Sequence, residues 1–138
     1  MAFLIHKYLS FNAFRTLAAR LTTLTKYRDH ISPILRELHW LPIKSRIMYK
    51  ILLLTYKSLH GLAPLYLQEL IHEYKPTRNL RSTSQFLLVT PSVSTQSYGQ
   101  RSFTSAAAEL WNNLPYNIKI SKTVNQFKCS VKTYLFNV

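Results

Sequence analysis

The stretch IKSRIMYKILLLTYKSL, residues 43–59, decides how the rest of the chain is read. At about 100° per residue, Ile47, Met48, Ile51, Leu52, Leu54 and Leu59 fall on one broad face. Arg46, Lys50 and Lys57 gather in a narrow stripe on the opposite side. This periodicity predicts an amphipathic helix over 43–59. Gly61 predicts its stop, because glycine accepts the left-handed backbone that ends a helix. Pro64 predicts a new start, with Leu67, Leu70, Ile71 and Tyr74 on one side. Joined by so short a turn, the two segments predict an antiparallel helix hairpin.

Toward the N-terminus, Pro42 ends one element and opens the next. Ser32 followed by Pro33 predicts a helix start, with the hydroxyl as cap and a proline where no amide donor is needed. That short helix carries Ile34, Leu35 and Leu38. Phe11, Phe14, Leu17, Ala18, Leu21 and Leu24 recur at helical spacing and predict an amphipathic helix over 11–25.

Toward the C-terminus the periodicity stops at Lys75 and a loop runs to Ser84. Phe86–Val89 is a weak strand candidate that could form a small hairpin with Tyr98–Phe103. Phe103, Ala106, Ala107, Leu110 and Trp111 predict another helix, stopped at Asn112, Asn113 and Pro115. Thr123 and Gln126 have capping-box spacing ahead of Val124, Phe127, Val131, Tyr134 and Leu135. Lys128 and Lys132 sit one turn apart on the outer face of this last helix. The fold expectation is therefore mainly α: a small single-domain helical bundle with a helix hairpin, leaving room for one short β-hairpin.

With 138 residues the chain suits one modest core. Its charge is unusual, with 18 Lys and Arg against 5 Asp and Glu, a net +13. Such an excess repels itself and suits a polyanionic partner, whether RNA, DNA or an anionic membrane surface. The plain alternative is that the cations only solubilise a helical fold. Between Met1 and Arg28 there is no acidic residue, while Lys7, Arg15, Arg20, Lys26 and Arg28 are present, the composition of a mitochondrial presequence or of an ordinary basic helix. No apolar run reaches the roughly 18–20 residues that span a bilayer.

Candidate chemistry is sparse, and no catalytic residue, metal ligand or cofactor site is expected. Asp29 is the only aspartate, so paired aspartates holding divalent metal cannot be built. Glu69 and Glu73, four residues apart, read as a solvated helix face. His6, His30, His39, His60 and His72 lack close ligand spacing, and His39 reads as a packed histidine with a hydrogen-bond partner. Cys129 is alone, which excludes an intramolecular disulfide and a cysteine-based zinc site. Neither glycine belongs to a phosphate-cradling loop. Trp40 and Trp111 both read as core.

The basic residues say more. Tyr74, Lys75, Arg78 and Arg81 put an aromatic ring beside three cations. Cations neutralise phosphates while an aromatic face stacks on an unpaired base. The alternative for Tyr74 is the end of a core helix. With Arg46, Lys50, Lys57, Lys128 and Lys132 these residues make the candidate nucleic-acid-binding set. No base-reading motif accompanies them, so RNA or DNA would be held through backbone contacts.

The residues also carry a resemblance. The runs 29–35 (DHISPIL), 38–43 (LHWLPI) with Arg46-Ile47, 57–64 (KSLHGLAP) with Tyr66-Leu67, and 80–82 (LRS) resemble the carboxy-terminal tail of LINE-type (non-LTR) retrotransposon reverse transcriptases. So do 99–103 (GQRSF), 110–115 (LWNNLP), Phe127-Lys128 and 132–136 (KTYLF). The resemblance covers about residues 12–136 and leaves 1–11 as an unmatched extension. It implies a truncated reading frame whose polymerase and endonuclease would lie upstream, a nuclear or cytoplasmic setting with mitochondria as an alternative, and no carried-over catalytic residue. It implies RNA or DNA as partner, with the reverse transcriptase domain as a second; a membrane partner is disfavoured and the oligomeric state is open. The alternative function is a structural docking remnant with no independent activity.

Overall fold

A computed structural model describes residues 2–76, 78, 85–92, 99 and 102–137, with the backbone alone for 2–10. Seven helices run along the described residues: α1 (Ala2–Thr23), α2 (Ile31–Glu37), α3 (Ile43–Leu59), α4 (Leu65–Gln68), α5 (Phe103–Asn112), α6 (Tyr116–Lys119) and α7 (Val124–Asn137). The chain is mainly helical, as its periodicity predicts. It divides into two compact units, Met1–Arg46 and Ile47–Val138, and the division falls within α3.

In the first unit α1 contacts α2. The predicted helix over 11–25 is present but starts earlier, and its apolar residues are not a core face. Phe11, Phe14, Leu17, Leu21 and Leu24 are exposed, whereas Ala19 is fully buried. Arg20 organises the loop that follows. Its guanidinium donates to the carbonyls of Lys26 and Asp29 and lies 5.6 Å from the Tyr27 ring centre. The Asp29 carboxylate accepts from the Lys26 amide at 3.2 Å and tightens the same turn.

Ser32 is not the cap expected of it. The helix begins two residues earlier, His30 occupies the capping position without a side-chain bond, and Pro33 still lies in the first turn, where a missing amide costs nothing. At the other end His39 takes a positive φ of 54°. The Trp40 amide then donates to the Leu35 carbonyl at 2.7 Å and the His39 amide to the Arg36 carbonyl at 3.0 Å. This Schellman closure satisfies carbonyls that the helix leaves open. His39 is exposed rather than packed, with Nδ1 within hydrogen-bond distance of the carbonyls of Arg36 and Glu37.

α3 ends in the same way at Gly61, φ 68°, with the Leu62 amide donating to the Lys57 carbonyl at 2.8 Å. The helix predicted to run from Pro64 through Tyr74 is a single turn, α4. The hairpin of two full-length helices is therefore absent. Residues 72–74 are extended instead, and Glu73 forms an isolated antiparallel bridge with Leu88. The amide of Tyr74 donates to the Leu87 carbonyl at 2.8 Å, and that of Val89 to the His72 carbonyl at 2.9 Å. So the 86–89 segment pairs with the segment after α4, and of the partner expected for it, residues 100 and 101 lie outside the described residues. Phe103 is helical, and Tyr98 lies outside the described residues.

The core of the second unit is centred on Tyr56. Its ring stacks on Phe127 at 4.2 Å between centroids, and Phe127 lies 5.9 Å from Trp111. Leu52, Ala107, Ala108, Val131 and Leu135 complete it. The leucines, the valine and the phenylalanine contribute about 1.5–3 kcal/mol each when fully buried, and the alanines well below that. The buried face of α3 is rotated from the one its apolar residues suggest. Thr55, Tyr56 and Ser58 are inside, while Ile47 and Leu54 are exposed. Three hydroxyl bonds make this possible: Thr55 to the Ile51 carbonyl at 2.9 Å, Ser58 to the Leu54 carbonyl at 3.0 Å, and Tyr56 to the Ser121 carbonyl at 2.7 Å. Trp111 is core, as expected; Trp40 is only half-buried.

Thr123 caps α7 as its sequence signature predicts, while the reciprocal bond of Gln126 falls on the residue before the cap. The Gln126 amide donates to Thr123 Oγ1 at 3.2 Å, and Gln126 Oε1 accepts from the Lys122 amide at 3.2 Å. Ser102 caps α5 by accepting from the Ser105 amide at 3.3 Å.

Candidate nucleic-acid interface

The helical period places Arg46, Lys50 and Lys57 on α3 and Lys128 and Lys132 on α7. Arg46 belongs to the first unit and is exposed. It is joined there by Arg15, a cation that the sequence does not single out. Arg15 is held below the ordinary arginine range, first by burial and then by the charge of Arg46. The Arg15 guanidinium lies 5.8 Å from the centre of the Trp40 ring, a cation–π arrangement that offsets part of the cost of crowding two arginines. Nothing in the period of α1 marks Arg15 apart from its neighbours; the Trp40 ring, brought in by α2 and its closure, does so.

In the second unit Lys50 is exposed, and Lys57, Lys128 and Lys132 are half-buried. Half-burial suits a lysine that lays its aliphatic stem on apolar neighbours and keeps the ammonium wet. The two helices that carry them meet through the Tyr56–Phe127 stack. Farther along the same pair, Tyr49 titrates above the ordinary tyrosine range, first through burial and then through the neighbouring Cys129.

Tyr74 does not end a helix. It follows the Glu73–Leu88 bridge with its side chain 43% exposed, and Lys75 beside it is exposed too. Lys75 borders a shallow depression of about 400 Å³ with Ser58, Gln68 and His72, which sets it close to the last turn of α3. Arg78 is exposed, and Arg81 lies outside the described residues. Glu69 and Glu73 do not share a helix face, since α4 has already ended.

Residues 85–88, which pair with this segment, are gripped by side chains of α5 and α6. Trp111 Nε1 donates to the Phe86 carbonyl at 2.8 Å. The Asn112 amide makes two bonds to the backbone of Leu88, and Lys119 Nζ reaches the Gln85 carbonyl at 3.4 Å. Phe86 adopts a positive φ of 47° within this grip, and its ring stacks on Tyr116 at 6.1 Å between centroids. Both rings are about half exposed, a second aromatic surface that nothing in the sequence singles out.

Among the described residues no group of His, Cys, Asp and Glu is placed to hold a metal ion, and no helix is long and apolar enough to cross a membrane. Compared with protein-family models, curated proteins and solved structures, the chain matches none of them.

Proposed function

We propose that this chain is a non-catalytic, basic nucleic-acid-binding module of the kind found in the tail of a retrotransposon reverse transcriptase. The observation that carries the reading is the net charge of +13, with Arg46, Lys50, Lys75 and Arg78 all exposed. The resemblance of residues 12–136 to that tail supports the origin, and the exposed Tyr74 beside Lys75 supports unpaired bases as part of the target. Phosphate neutralisation makes such binding steeply dependent on salt.

The test is fluorescence anisotropy of the purified chain with a labelled RNA hairpin and with duplex DNA over a salt series, beside heparin as a control polyanion. Binding to one nucleic acid that persists near physiological salt and exceeds heparin supports the module. Binding that never exceeds that of heparin at any salt concentration overturns it. Reversing Arg78 and Arg81 together to Glu should flatten the log–log salt slope by about 2, one for each phosphate no longer neutralised.

A second reading, a docking element with no independent activity, is favoured by α1. Phe11, Phe14, Leu17 and Leu21 form one exposed apolar stripe. It predicts that the isolated chain self-associates, and that Phe14→Lys with Leu21→Lys abolishes this without changing nucleic-acid affinity.

A further inference from the structure

The second unit contains a cavity of about 340 Å³, within the range of small-molecule sites. Leu59, Leu88 and Trp111 give it apolar walls, and Lys119 contributes the buried charged group. Only 6% of Lys119 is exposed. A lysine this buried normally has an anionic partner. Among the described residues Lys119 has only two main-chain carbonyls, Gln85 at 3.4 Å and Asn112 at 3.3 Å, both near the outer limit of a hydrogen bond. An ammonium carries three protons, so these long bonds leave donor capacity beside an apolar space. Two other polar groups of the lining have partners elsewhere. Trp111 Nε1 is committed to the Phe86 carbonyl, and His60 Nδ1 lies 2.9 Å from the Tyr56 carbonyl.

We propose that this cavity is a binding site for a small apolar monocarboxylate, whose carboxylate accepts from Lys119 Nζ while its apolar body lies against Trp111, Leu88 and Leu59. A monoanion fits better than a phosphate dianion. Glu73 and Lys122 also border the cavity with opposite charges, which leaves the single charge of Lys119 for a ligand to match. The burial that lowers the Lys119 pKa would be offset by the carboxylate, which restores the charged form. This site uses none of the cations proposed to hold nucleic acid and does not rest on that reading, although it shares Leu59 and Glu73 with the depression that Lys75 borders.

The test uses the full chain and three probes sharing one apolar body: indole-3-acetate, indole-3-acetamide and tryptamine. The Trp111 indole N–H is followed by NMR, with that of Trp40 as an internal control. The expected result is a saturable shift at Trp111, with acetate bound at least about 10-fold more tightly than acetamide and tryptamine weakest, a preference of the size a charge-assisted hydrogen bond gives. Lys119→Met should erase the preference for acetate over acetamide. Equal affinities, a shift confined to Trp40, no shift at all, or a preference that survives in Lys119→Met would each overturn the proposal. Should that variant not fold, the comparison of head groups in the wild-type chain decides alone.

Discussion

The side chain of Asn112 pairs with both backbone groups of Leu88, accepting from its amide at 2.8 Å and donating to its carbonyl at 3.0 Å. A carboxamide here stands in for a neighbouring strand, since it offers an acceptor and a donor at the spacing of a peptide group. Leu88 is thereby paired on one side by the bridge to Glu73 and on the other by α5. Each such bond contributes about 1 kcal/mol net. Asn112→Ala should therefore lower unfolding stability by about 2 kcal/mol in urea titration, and Asn112→Asp by at least as much, because its carboxylate would face the Leu88 carbonyl. A loss below about 0.5 kcal/mol for both would show that residues 85–88 are held without this pairing.

Tyr56 is buried with its hydroxyl on the Ser121 carbonyl. Tyr56→Phe keeps the ring stack and strands that carbonyl, an expected cost of about 1–2 kcal/mol. Phe127→Ala removes a ring between Tyr56 and Trp111 and should cost about 3–5 kcal/mol. Chemical denaturation of the two variants distinguishes the missing bond from the missing volume.

Leu24 and Gly61 end their helices in the same left-handed conformation, at φ 53° and 68°. Leucine is strained there and its side chain is 91% exposed, so its removal sacrifices little packing. Leu24→Gly should stabilise the chain by about 1 kcal/mol. Gly61→Ala should destabilise it by a similar amount, although nothing lies within 4 Å of the added Cβ. Opposite signs in thermal unfolding are the expected outcome. Equal signs would refute conformational strain as the cause.

Burial pushes the Lys119 amine below its ordinary value of 10.5. Between the folded and unfolded values the unfolded chain binds more protons, so this group makes stability rise with pH through that window. Tyr49 and Tyr56 oppose it. Their phenols are raised above 10.0 mainly by burial, so stability from them is lost as pH rises beyond the unfolded value. Comparing Lys119→Met with wild type cancels the tyrosines. The variant should be the more stable at neutral pH, with the advantage shrinking as pH approaches 10.5. An advantage constant from about pH 8 to 11 would contradict a buried ammonium.

The sequence by itself determined the helices that carry strong local signals. The period of 43–59, the capping pair Thr123 and Gln126, and the stop at Gly61 all act within a few residues of themselves, so no distant partner is needed to express them. The cations of the candidate interface were legible for the same reason, because charge and helical position are properties of the chain. Arg15, Lys119 and the Phe86–Tyr116 pair were not. Arg15 is marked by Trp40, Lys119 by carbonyls seven and thirty-four residues away, and Phe86 by a turn that Trp111 holds in place.

The tertiary structure also decided which side of α3 is buried. Ile47 and Leu54 are more apolar than Thr55 and Tyr56, yet they are outside. Thr55 satisfies its hydroxyl on its own helix, Tyr56 finds the Ser121 carbonyl sixty-five residues on, and Phe127 supplies a ring to stack against. Hydrophobic periodicity ranks residues by their cost of leaving water alone; a hydroxyl with a waiting acceptor no longer bears that cost, and only the folded chain brings the acceptor.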